Sequence, residues 1–284
     1  MANLISDTDH CHALVRRHDK DRYLASLFAP DETRSHLWSL YAFNYETARI
    51  RDMVSAPAAG ELRLQWWANA IESLYEAQFA DHPVVRALGR AVEHGDLPKP
   101  ALVNMIEARR FDLYDDPMPS LNDLEGYLGE TSSALMHMAS LILAGPSAAT
   151  AASAAGFGGI AYGLTGLLRA LPLHRKRSQC YIPKEILARE GLSPADLIAG
   201  EPRQPLRRVL QALAALASER LAQARAERHA IPDAALPAFL PLAVVESYLA
   251  RMERLGVRVL DEIVDVAQWR RQWRLWRMAR QGQF

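Results

Sequence analysis

The sequence predicts an all-α protein folded as one helical bundle. Apolar residues recur at helical spacing along nearly the whole chain, with no sustained period-two alternation of the kind a sheet requires. Prolines cut that pattern into helices of ordinary length. With 284 residues, half of them hydrophobic, the chain can bury one large core. Residues 1–284 are therefore read as a single domain, with 1–20 as a loosely ordered N-terminal extension.

Taken in order, Pro30-Asp31-Glu32 is a helix start, and Leu37, Leu40, Tyr41, Asn44, Ala48 and Met53 trace the stripe that follows. Leu62, Trp66, Ala70, Ser73 and Ala77 trace the next. Pro83, Pro98, Pro100, Pro117 and Pro119 punctuate further helices. Asp112, Asp115 and Asp116 follow Arg109-Arg110 and run into Pro117, which reads as a helix end carrying solvated acids. From Thr131 to Leu168 there is no Asp, Glu, Lys or Arg, a stretch that calls for a membrane test. Gly145-Pro146 splits it into a part too short to span and a part rich in Ala, Gly, Ser and Thr, so two buried core helices are predicted. Gly159 and Gly163, one turn apart, predict a second backbone lying close to the later helix.

Ile182 to Glu190 reads as a short helix ended by Gly191. Ser193-Pro194 restarts the chain with a capping hydroxyl and a proline at the first helical position. Arg203 to Arg228 is a long Ala-rich helix. Pro232, Pro237 and Pro241 break the chain before a helix over about Leu242 to Gly256, and a last helix starts near Val264.

Thirty-three basic residues balance 33 acidic ones, so no global field points to nucleic acid or to an anionic membrane, and charge recognition has to be local. Cys11 and Cys180 stand far apart, which fits unpaired thiols in a reducing compartment. His10 and His12 flank Cys11 too near the terminus for a designed metal site. The first twenty residues carry neither a signal-peptide pattern nor a transit-peptide composition, and a cytoplasmic location is expected.

Two segments carry the functional information, Tyr41 to Asp52 (YAFNYETARIRD) and Gly163 to Pro183 (GLTGLLRALPLHRKRSQCYIP). They resemble the squalene/phytoene synthase family, in which two facing helices present Asp residues three or four apart, so that the carboxylates share a face and hold Mg²⁺ against substrate phosphates. Laying the family's first motif on Ala42-Phe43 puts its three acids at Ala48, Arg49 and Asp52. In the second motif Leu164, Thr165, Leu168, Arg169, Tyr181 and Pro183 match, while the two acids fall on Ala170 and His174. Four of the five motif acids are gone, and one carboxylate cannot assemble a multi-Mg²⁺ cluster.

These departures are similar to a subgroup of that family, the complex I assembly factor 6 proteins and their bacterial relatives. The similarity rests on Ala42-Phe43-Asn44, on Arg63, Gln65 and Trp67, on Leu168 to His174, on Pro237 to Leu240 and on the Trp-Arg tail, and runs from about Tyr23 to the end. It implies an isoprenoid-synthase-type bundle with a central cavity, no catalytic residues, no cofactor, and a role in the biogenesis of respiratory complex I with one of its subunits or assembly intermediates as partner. The alternatives are an active prenyltransferase, which would require Mg²⁺, and a module that binds an isoprenoid or lipid phosphate. Carried over by position, Tyr41, Asn44, Tyr45, Arg49, Asp52, Arg169, His174 and Tyr181 are the ligand candidates.

Arg49 and Arg169 would reach one cavity from facing helices and anchor phosphate without metal; the competing reading of Arg49 is a plain i,i+3 pair with Glu46. Arg175, Lys176 and Arg177 read as a solvated basic loop, whereas Arg169, at the end of an apolar helix, needs a partner. In the tail, Trp269, Trp273 and Trp276 share one helical face, with Arg270, Arg271, Arg274, Arg277 and Arg280 around it. The indoles are expected to pack on the bundle, leaving the arginines free; the other reading gives the face to a membrane or a partner.

Overall fold

The computed structural model describes residues 6–76, 78 and 80–284, and helices with short connecting turns make up its regular structure, with no strand among the described residues. Ala77, the last position of the second expected stripe, lies outside them. The N-terminal stretch differs from expectation. Asp7–His18 is a helix (α1), capped by the Ser6 side chain accepting from the Asp9 amide, and it buries Cys11 and Val15 against α3. Only residues 1–5 of the expected extension fall outside the description.

After α2 (Lys20–Ser26), α3 (Asp31–Ala48) starts after Pro30 with Asp31 and Glu32 in its first turn, where the helix dipole favours acids. It buries Leu37, Leu40, Tyr41, Ala42 and Phe43, and a one-turn helix α4 (Ile50–Met53) continues it. In α5 (Pro57–Leu74) the buried stripe is Leu64, Trp67, Ala68, Ile71 and Leu74. Ala70 is buried as expected, but Leu62 and Trp66 point outward and the stripe runs one position later than expected, because Trp67 closes edge-on against Phe43. Helices α6 (Pro83–Gly95) and α7 (Lys99–Ala108) lead through a 3₁₀ turn to α8 (Leu121–Leu128).

The centre is built from α9 (Ala134–Ala144) and α10 (Ala152–Arg169), separated at Gly145 as expected. A Cβ on Gly159 would stand 2.2 Å from Ser133 Cα, and one on Gly163 2.7 Å from Leu128 Cδ2, so the absence of side chains is what lets α10 lie against the turn Gly129–Ser133 that joins α8 to α9. Two stretches, Leu121–Arg169 and Asp233–Leu260, are long and apolar enough to cross a membrane by length and composition. Each is divided by 3₁₀ turns into separate helices packed within the bundle.

Short helices α11 (Leu171–Lys176), α12 (Lys184–Arg189) and α13 (Pro194–Ala199) follow, the last closed by a full capping box between Ser193 and Asp196. The long α14 (Arg203–Ala226) packs along α10. Beyond α15 (Leu236–Phe239), α16 (Val245–Leu255) and α17 (Gln268–Gln281) complete the chain, α17 starting four residues later than expected.

Candidate functional site

The C-terminal end of α3, α4, the end of α10 and α11 bring the two motif segments together. Asp52, the surviving motif acid, meets Arg177 of the facing segment, Oδ1 to Nη1 2.6 Å, with both side chains about 40 % exposed (43 % and 37 %). Arg177 is therefore a counter-ion, not part of a free basic loop. Arg175 also departs from that expectation: it donates to the carbonyls of Ile198, Ala199 and Leu260 and pairs with Asp261 at 2.9 Å, tying α11 to the end of α13.

His174, at a lost acid position, is mostly buried beside the Tyr181 ring (4.6 Å), and its Nδ1 has no hydrogen-bond partner. Burial, helped by the Arg177 charge, pushes its pKa down to about 4, so at neutral pH it is uncharged. With Ala48 and Ala170 carrying only methyls, the facing ends hold two carboxylates, Asp52 and Glu46, and each is paired with a guanidinium, Arg177 and Arg49 respectively. The donor set does not fit a Mg²⁺ cluster, which takes several carboxylate oxygens. Among the described residues no group of three or more His, Cys, Asp or Glu is arranged to hold a metal ion.

The remaining candidates are distributed over the protein's own ionic clusters. Arg49 pairs with Glu46 at 3.2 Å and lies over the Tyr45 ring, which stacks on His18 at 4.3 Å. Arg169 has a different set of partners: it donates to the Val264 carbonyl, sits 3.7 Å over the Tyr248 ring, and approaches Asp21 and Asp265 at 3.7 Å each. The two arginines are thus engaged separately and do not form the pair of anchors expected. Buried Tyr41 lies under Arg22, which also covers Tyr162.

Sequence reasoning missed two buried carboxylates. Asp21, 4 % exposed, is ion-paired with Arg271 (Oδ1 to Nε 2.5 Å) and accepts from the hydroxyls of Tyr248 (2.9 Å) and Tyr162 (3.3 Å). Burial raises its pKa, opposed by Arg271 and Arg169. The available signal was its place on the buried stripe of α2 with Leu24 and Ala25. Asp112 was expected in solvent and is 6 % exposed: it accepts from Tyr181 (2.7 Å) and Tyr127 (2.9 Å), with Arg109 Nη1 at 3.4 Å. Arg109 also reaches Asn44 Oδ1 at 3.3 Å, so the ligand candidates Asn44 and Tyr181 both belong to this network. Desolvation raises the Asp112 pKa and Arg109 opposes it.

Tyr181 and His174 line a void of about 10 Å³, at most the room of a single water. A cleft of about 490 Å³ opens instead between α14 and α16, walled by Leu210, Ala214, Leu249 and Met252, with Arg207 and Glu253 among its polar groups. Cys11 and Cys180 are both buried and free, their thiols pushed up to about 12 and about 11 by burial, which keeps them protonated and inert.

An all-α bundle whose two motif helices meet in this way is the isoprenoid-synthase type of fold. The chain belongs to the squalene/phytoene synthase family, whose model matches residues 15–277. It is 34 % identical over 251 residues to the NADH dehydrogenase (ubiquinone) complex I assembly factor 6 of Bos taurus, covering 88 % of this chain and 75 % of that one. The Homo sapiens protein is 33 % identical, with 87 % and 74 % covered. A 15-cis-phytoene synthase from Synechococcus elongatus is 26 % identical over 283 residues, 95 % of this chain and 92 % of the other. Among solved structures, a dehydrosqualene synthase superposes with a TM-score of 0.83 at 19 % identity, over 95 % of this chain and 94 % of that one.

Proposed function

We propose that this chain is a catalytically degenerate squalene/phytoene synthase-like protein that assists the biogenesis of respiratory complex I. The observation that carries the reading is the Asp52–Arg177 pair: the one acid left in the two motifs is bound to a cation from the opposite segment. Head-to-head condensation of prenyl diphosphates in this family depends on metal that stabilises the departing diphosphate, a contribution of several kcal/mol to the barrier. Ala48, Ala170 and neutral His174 supply nothing in its place. The similarity to complex I assembly factors over most of the chain supports the second half of the reading. In it the protein works on the cytoplasmic side of the inner membrane, with a complex I subunit or assembly intermediate as its partner.

Deleting the gene in its host should lower the amount of assembled NADH:quinone oxidoreductase on native gels, and Asp52→Asn should restore it as well as the wild type does. Unchanged complex I in the deletion strain contradicts the assembly role. Failure of Asp52→Asn alone, in a folded protein, contradicts the degenerate site.

The apolar cleft between α14 and α16 favours a second reading, an isoprenoid-binding module, since its size falls within the range of small-molecule pockets. Mass spectrometry of molecules extracted from the purified protein separates the two: a retained isoprenoid supports it, and none argues against it.

A further inference from the structure

Four arginines converge on a pocket of about 390 Å³ between α16 and α17, lined by Arg251, Arg254, Arg270 and Arg274, with Trp273 and Asp265 beside them. Its one acid, Asp265, is already bound to Arg271 at 2.8 Å. Arg274 shares Glu246 with Arg225. Arg251, Arg254 and Arg270 have no carboxylate within 4.0 Å among the described residues. In a chain whose net charge is zero, this is a local excess of guanidinium groups, and each presents a planar fork of donors suited to phosphate.

The same helix turns three indoles outward. Trp269, Trp273 and Trp276 are 63 %, 56 % and 43 % exposed, and with Gln272 they form a shallow apolar shelf. Arg270 lies over Trp269, and Arg280 over Trp276. The helix is fixed from its other side: Arg271 and Leu275 are buried, the Phe284 carbonyl accepts from Arg225 at 2.9 Å, and that of Gly282 accepts from Arg228 at 2.6 Å. Packing therefore holds the indoles in solvent.

Trp273 belongs to both the shelf and the pocket, so indoles and unneutralised guanidinium groups form one continuous face. That combination matches an anionic bilayer, where indoles settle at the headgroup level and arginines meet lipid phosphates. The shelf is shallow and gives a partner's side chains no groove to enter. We infer that the α16–α17 face docks on anionic phospholipid membranes, with the arginine pocket taking a headgroup phosphate.

The full-length chain should sediment with phosphatidylcholine vesicles containing phosphatidylglycerol, less so as salt rises, and should not sediment with phosphatidylcholine alone. The triple variant R251E/R254E/R270E should lower the affinity at least roughly tenfold, at an unchanged melting temperature because these side chains are exposed. Brominated acyl chains should quench the wild-type fluorescence. They should not quench W269S/W273S/W276S, which keeps Trp38, Trp66 and Trp67 as emitters. Wild-type vesicle binding by both variants, or equal binding to neutral vesicles, overturns the inference. So does inorganic phosphate binding at the pocket with no vesicle association, which would make it a free-anion site.

Discussion

Asp52 and Arg177 are both too exposed for their ion pair to add much stability; pairs of this kind contribute about 0–1 kcal/mol. Their importance is in charge, since the guanidinium neutralises the Asp52 carboxylate. His174, by contrast, should affect stability. Its pKa in the folded protein is about 4 against an ordinary 6.5, so the unfolded chain binds the proton more readily and stability falls as pH drops from 6.5 toward 4. Replacing it with a neutral analogue, His174→Asn, should flatten that part of the profile by on the order of 3 kcal/mol. Urea denaturation at pH 7 and pH 4.5 checks this; parallel profiles for the two proteins would show that His174 does not carry the dependence.

At this scale the pairing of the two motif segments was legible in the sequence, and the structure brings Asp52 of one to Arg177 of the other. The sequence did not expose Asp21 or Asp112 as buried, because an acid beside arginines reads the same in solvent and in an ion-paired core. Arg175 was obscure for a similar reason: its partners are carbonyls of residues at least 23 positions away.

Among the elements, α10 was the most legible. The charge-free stretch and its spaced glycines predicted a central helix in close contact, and Gly159 meets the Ser133 backbone. Gly159→Ala should cost about 3 kcal/mol or more, since backbone has to move. Gly156→Ala, in the same helix with nothing within 4 Å of the added carbon, should be neutral or stabilising by up to about 1 kcal/mol. Equal melting temperatures for the two variants would contradict the close approach. The face of α17 was misread. Indoles at i, i+4 and i+7 look like a core stripe, but the bundle buries the opposite face, where Arg271 reaches Asp21 and Tyr248. No spacing rule ranks a buried ion pair above three tryptophans.

For the whole molecule, the fold resembles a dehydrosqualene synthase, and the proposed loss of the motif carboxylates would separate what the bundle needs from what metal chemistry needs. The core rests on apolar helix faces and on two enclosed arginine–carboxylate clusters, and neither requires Ala48, Ala170 or His174 to be acidic. On the proposed reading such a bundle persists without its metal-dependent reaction. The most direct test of that reading is incubation of the purified protein with farnesyl or geranylgeranyl diphosphate and Mg²⁺ or Mn²⁺, followed by mass spectrometry of the hydrocarbon extract. No condensation product is expected with either metal. A product that forms with the wild type and is abolished by Asp52→Asn would contradict the reading.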